Sequence, residues 1–173
     1  DLLATPAGSR VYVTEGEKAA DACRAVGLVA TTSPHGSQSA RLADWSPVAG
    51  RDVVILPDHD DAGEKYAAAV AALCIAAGAK SVRVVRLVEL WAGMPKGGDM
   101  ADLLNNRGGD VDPIRAEVEA LADKAEPEAV ESIDDAPADE GTVPQAEQLV
   151  RLALDLFRLG QTPKRDPFAV VNT

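Results

Sequence analysis

Aromatic side chains are scarce, at 3% of a 173-residue chain. The interior must therefore be filled by Ala, Val, Leu and Ile, and a hydrophobic content of 46% supplies enough of them for one domain with a real core and something smaller attached. Cysteine is scarcer still. Cys23 and Cys74 share no C-x-x-C spacing and fall in apolar, helical contexts. That excludes a disulfide framework or a zinc site and reads as two small core residues. No apolar run reaches the ~18 residues of a membrane span and no secretory leader precedes Asp1, so a cytoplasmic protein without a membrane partner is expected. No G-x-x-x-x-G-K-S/T occurs, so ATPase or helicase chemistry would have to lie elsewhere in a parent chain.

Positive charge is also in short supply, with 17 Lys and Arg against 28 Asp and Glu and a net charge of −11. The deficit is uneven. Residues 1–125 hold 13 basic and 18 acidic side chains, a net −5, whereas residues 126–173 hold 4 and 10, a net −6. Within the first segment, two bound divalent cations would nearly cancel the excess. Such a surface does not exclude a nucleic-acid partner, but it argues against tight, metal-free binding through phosphate contacts.

What is present is a strand–helix alternation. Arg10–Thr14 is short and β-branched, and reads as a strand. Glu17–Val26 puts Ala20, Cys23 and Val26 on one helical face, with Gly27 as its stop. Leu28–Thr32 reads as a second strand, Ser33–Ser39 as a loop, and Asp52–Pro57 as a strand covered on both faces. Gly63–Ala77 is an Ala-rich helix closed by Gly78. Ser81–Val88 reads as a fourth strand, with Arg83 and Arg86 on its exposed side. Met100–Asn106 and Pro113–Ala125 read as helices. This βαβ rhythm predicts an α/β fold: a Rossmann-like, mostly parallel sheet of about four strands with helices on both faces. Trp45 and Trp91 read as packing anchors beside loops.

Three segments divide the chain: a domain over 1–125, an acidic flexible linker over 126–143, and the truncated start of a further segment over 144–173. Glu126–Thr142 carries seven acids, no base and two prolines, too little apolar area to order itself. Ala146–Leu159 reads as an amphipathic helix, with Leu149, Leu152, Leu156 and Leu159 on one face. Lys164–Val171 reads as the opening strand of another domain that stops abruptly, as in a fragment of something longer.

In parallel α/β sheets functional residues collect at the carboxyl ends of the strands, and here acids do. Glu15 follows the first strand inside T-E-G-E-K, where Gly16 permits a tight turn. Asp58 and Asp60 follow the third inside P-D-H-D-D-A-G. If that stretch is extended, residues two apart point the same way and both carboxylates face one ion. Asp99 follows the fourth inside K-G-G-D-M-A-D-L. Asp61 reads as the cap or a first-turn acid of the next helix, and Asp102 as a further capping candidate. His59 reads as a partly exposed polar residue rather than a ligand. Clustered carboxylates repel unless a hard cation such as Mg²⁺ or Mn²⁺ fills them, and such ions favour oxygen ligands plus phosphates. Gly36 and Ser37, in P-H-G-S-Q-S with His35, are weaker candidates for a phosphate approach to backbone N–H groups. Lys18 and Lys96, beside the acidic motifs, are weak candidates for phosphate or nucleic-acid binding.

E-G after a first strand, D-x-D-x-x-G after a later one and an acidic turn beyond, in that order over about residues 9–110, resemble the Toprim domain. That domain is shared by bacterial-type primases, topoisomerases, OLD-family and RNA-maturation nucleases and recombination mediators. The resemblance implies that Glu15 acts in acid/base or metal-bound-water chemistry, that Asp58 and Asp60 bind metal, and that Gly63 opens the following helix. E-G-E-K-A-A-D-A with K-G-G-D-M-A-D-L-L looks most like phage and mobile-element primases and primase-helicases. Those proteins make primers on single-stranded DNA from nucleoside triphosphates. In the bacterial primase the late motif is a D-x-D pair, whereas here Asp99 and Asp102 stand three apart; Asp99 is the expected ligand. Pro163–Ala169 resembles the start of the segment joining such modules to a helicase domain in the same chain. A Toprim nuclease or a non-catalytic scaffold that recruits DNA or replication partners is the alternative. Retention of Glu15, Asp58 and Asp60 weighs against the scaffold, and the helicase-like tail against the nuclease.

Overall fold

The computed structural model describes residues 2–6, 8–33, 36–128, 157–161 and 167–171. The chain separates into two compact units, Asp1–Val130 and Glu131–Thr173.

The first unit is α/β. Strands β1 (Val11–Thr14), β2 (Ala30–Thr32), β3 (Asp52–Leu56) and β4 (Ser81–Val84) form one sheet in the order β2-β1-β3-β4, and every pairing is parallel. Helices α1 (Glu17–Ala25), α2 (Asp61–Ala76), α3 (Met100–Asn106) and α4 (Val111–Lys124) make the connections and the outer layers. The alternation of side chains along a strand decides which layer meets which face. Val11, Val13, Val53 and Ile55 pack with Tyr66, Ala67, Val70, Ala71 and Cys74 of α2. Tyr12, Val54 and Leu56 point the other way, onto Cys23 of α1, Met100 and Leu103 of α3, and Ile114 and Val118 of α4. Both faces of the central strands are thus covered, which is why β3 is apolar at every interior position. Cys23 and Cys74 are fully buried, and burial pushes both thiols up to about 12, so they are the inert core residues expected. Trp45 is buried with its Nε1 donating to the Ala40 carbonyl, and Trp91 packs against the α1/α3/α4 core.

Several boundaries differ from the sequence reading. β4 ends at Val84, opposite Ile55, with the Val85 N–H still donating to the Ile55 carbonyl; Leu87–Glu89 is a short 3-10 turn. Arg86 is therefore not on a strand. It pairs with Glu64 of α2 through two contacts of 2.8 Å, and Arg83 donates to the Ala125 carbonyl. β2 starts at Ala30, since the Leu28 N–H still donates to the Cys23 carbonyl at the end of α1. The expected loop over 33–39 is helical in part: Gly36–Leu42 is a 3-10 helix, while Pro34 and His35 lie outside the described residues. α4 begins two residues before Pro113, which its first turn tolerates because the N–H that proline lacks would have no helical partner there.

After α4, Glu126–Glu128 are exposed, yet the Glu128 N–H donates to the Val82 carbonyl at 2.7 Å. The first residues assigned to the linker thus lie against the edge strand, and the remainder, 129–143, lies outside the described residues. In the second unit, β5 (Phe157–Gln161) and β6 (Pro167–Val171) form an antiparallel pair. The strand expected in Lys164–Val171 is there. The end of the helix expected over Ala146–Leu159 is strand from Phe157 on: Phe157 and Leu159 satisfy a two-residue period, and Gly160 followed by Pro163 disfavours a helix. Leu149, Leu152 and Leu156 lie outside the described residues.

Candidate metal centre

Because β1 and β3 are adjacent and parallel, with Thr14 opposite Leu56, the chain leaves both at the same sheet edge. Glu15 follows one exit and Pro57-Asp58 the other. Tyr66 of α2 fastens this edge: its hydroxyl donates to the Thr14 carbonyl at 2.9 Å and sits 3.2 Å from the Ser33 hydroxyl. Thr32, at the end of β2, donates to the Glu15 carbonyl at 3.1 Å. Neither link was foreseen in the sequence.

The 58–60 segment is not extended. The Asp60 N–H donates to the Asp58 carbonyl at 2.8 Å, a tight turn about His59, so the same-side argument for residues two apart does not hold. Other bonds bring the acids together. The His59 N–H donates to the Gly98 carbonyl at 2.9 Å and the Gly97 N–H to the His59 carbonyl at 3.0 Å. This reciprocal pair docks the turn after β3 onto the turn before α3, one residue from Asp99. Gly97 has φ 72°, and a Cβ on Gly98 would meet Met94 Cγ at 2.6 Å. One glycine supplies conformation and the next supplies space. The His59 side chain itself is exposed, as expected.

Asp60, rather than Asp61, caps α2. Its Oδ1 accepts from the Ala62 and Gly63 N–H groups, both at 2.9 Å, and Asp61 is a first-turn acid. Gly63 is required by close approach: a Cβ there would lie 2.2 Å from the Asp58 carbonyl oxygen. Gly16 is not required in this way. Its φ of −130° and ψ of 161° suit any residue, and a Cβ would meet nothing within 4 Å, so the tight turn expected to need it does not.

Asp99 caps α3 in a capping box. Its Oδ1 accepts from the Asp102 N–H at 2.9 Å, and Asp102 Oδ2 accepts from the Asp99 N–H at 3.2 Å. The capping reading of Asp102 is correct, and Asp99 is the more buried of the two. The oxygens left over face Lys18, whose Nζ lies 3.2 Å from Asp99 Oδ2 and 3.5 Å from Asp102 Oδ1. Lys18 is therefore an ion-pair partner of both acids. Lys96 is exposed and makes no ion pair with a described residue. Gly36 and Ser37 fall in the first turn of the 3-10 helix.

Asp58 is the electrostatic focus. Partial burial, then the charges of Glu15, Asp99 and Asp60, raise its carboxyl to about 7, while Lys18 pulls the other way. Glu15 Oε2 is buried without a hydrogen-bond partner. Among the described residues no group of three or more His, Cys, Asp or Glu side chains is arranged to hold a metal ion. One oxygen each of Asp60 and Asp99 is committed to a helix N-terminus, and Lys18 stands beside the other oxygen of Asp99. The donor set still fits a hard divalent cation. Asp60 and Asp99 each keep a second oxygen, the Asp58 carboxylate accepts no hydrogen bond from a described residue, and Glu15 contributes an orphaned buried oxygen. No family model, curated protein or solved structure matches the chain.

Proposed function

We propose that this chain contains the Toprim catalytic module of a DNA primase or primase-helicase, a metal-dependent nucleotidyltransferase that makes primers on single-stranded DNA during replication of a phage, plasmid or other mobile element. The observation that carries the reading is the convergence of acids from three separate segments on Asp58. Glu15, Asp60 and Asp99 all raise the Asp58 carboxyl, at the carboxyl end of a parallel sheet. Repulsion of this kind is costly unless function uses it.

Asp58, Asp60 and Asp99 would hold Mg²⁺ or Mn²⁺. Such an ion polarises phosphoryl oxygens and aligns the attacking and leaving groups. Glu15, whose Oε2 is buried without a partner, would handle the proton of the primer hydroxyl or hold a second ion. The order of the motifs along the chain and the glycine forced by close approach at Gly63 support the Toprim assignment. The partners are a single-stranded template and nucleoside triphosphates, with a helicase domain in the same parent chain.

The test is a thermal melt with and without Mn²⁺ on the wild type and on Asp58→Asn with Asp60→Asn. The wild type should gain stability with the ion and the double variant should not, and template-directed nucleotide incorporation should vanish in the variant. Equal metal-induced shifts in the two proteins would remove the assigned site.

A further inference from the structure

We propose that Lys18 is the resident counter-ion of Asp99 and Asp102, and that it yields this place to a divalent cation and turns to the phosphates arriving with it. The inference rests on the metal-centre reading above and assigns a positioning role within it. Three features carry it. The Lys18 ammonium occupies the outward side of both carboxylates, at 3.2 and 3.5 Å, and Asp99 Oδ2 is the one oxygen of that residue free of capping. Any cation that takes Asp99 Oδ2 therefore competes with the ammonium for it. Second, the acids are fixed while the lysine is not: Asp99 and Asp102 lock each other in the capping box, whereas the Lys18 side chain is 64% exposed and can swing out with little loss of packing. Third, Lys18 stands in the first turn of α1, where the helix dipole opposes a cation. Only the carboxylates favour it there, so once they are taken an anion beside the same helix end becomes its preferred partner.

Removal of the ammonium should thus have opposite effects on the bare ion and on the ion bound to a polyphosphate. Binding of Mn²⁺ alone would be followed by the electron-spin resonance of the free ion. Binding of the 1:1 Mn²⁺ complex of a non-hydrolysable nucleoside triphosphate would be followed by equilibrium dialysis. Lys18→Met should bind Mn²⁺ about fivefold more tightly and the triphosphate complex about fivefold more weakly, the scale of one partly exposed ion pair. Lys18→Arg should stay within about twofold of the wild type in both. If Lys18→Met moves both affinities in the same direction, or neither by more than about twofold, Lys18 is only a structural tie between α1 and α3 and the proposal is wrong. Asp58→Asn with Asp60→Asn separates the two levels. Should that variant bind Mn²⁺ like the wild type, the metal-centre reading falls and this proposal with it. Should it lose Mn²⁺ while Lys18→Met is unchanged, the Lys18 role alone fails.

Discussion

At Gly63 two local rules oppose each other. In a helix interior alanine is favoured over glycine by about 1 kcal/mol, so propensity alone makes Gly63→Ala stabilising. Yet the new methyl would lie 2.2 Å from the Asp58 carbonyl oxygen and 2.8 Å from its nitrogen, both backbone atoms that cannot swing aside. Sterics should win, and Gly63→Ala should lose about 2 kcal/mol or more in urea denaturation, with the Asp58 turn displaced. Gly16→Ala is the control: with open space and an ordinary φ it should change stability by no more than about 0.5 kcal/mol. If both substitutions prove equally mild, the close approach of α2 to Asp58 is wrong. Asp58 itself has a pH signature. Its carboxyl, raised to about 7, binds a proton more tightly in the folded chain than in the unfolded one, where an aspartate titrates near ~3.9. Its contribution to stability is complete below about pH 4 and is lost as pH rises through about 7. Relative to the wild type, Asp58→Asn should therefore gain stability between those limits and stay level beyond them, in metal-free buffer. Parallel stability profiles of the two proteins from pH 4 to 8 would exclude Asp58 as the group.

At the scale of elements, Tyr66 shows what the sequence could and could not reveal. It sits on α2, and its spacing with Val70 and Cys74 marks it as core, which it is. Nothing local indicates that its hydroxyl crosses to the Thr14 carbonyl, because that bond depends on how α2 lies over the sheet. Tyr66→Phe should cost about 1 kcal/mol, leaving a carbonyl short of a partner at the edge that carries Glu15. An unchanged urea midpoint would mean that the carbonyl finds a substitute. The same contrast runs through the fold. The four strands, the four helices and the stops at Gly27 and Gly78, with φ of 82° and 83°, were legible because period and glycine placement are local signals. The turn at His59, the docking of Gly97 and Gly98 against it and the ion pair of Lys18 were not, since each arises where distant segments meet. Leu159 fits both the leucine face of a helix and a two-residue period with Phe157, and pairing with β6 decides between them. The acids themselves were legible as residues after strands. Their division of labour was not, because Asp60 and Asp99 cap helices as well as facing the cluster.

On the scale of the molecule, the described buried core lies in the first unit. Both buried clusters, as described, draw only on residues up to Ala125. The last described contact of this unit is the Glu128 N–H on the Val82 carbonyl, where the segment after α4 covers part of the exposed edge of β4. A fragment of residues 1–128 therefore keeps every core side chain described and this edge bond, and its net charge falls from −11 to −7. It should unfold in a single cooperative transition, as expected of a domain of this size. Cutting at 125 instead removes the edge bond and the carbonyl that Arg83 engages loses its peptide context. That shorter fragment should be less stable by about 1 kcal/mol. Calorimetry on the two fragments checks both statements. A broad, non-cooperative melt of 1–128 would show that residues beyond Glu128 complete the core. Equal stability of the two fragments would show that Glu126–Glu128 contribute nothing to the edge of the sheet.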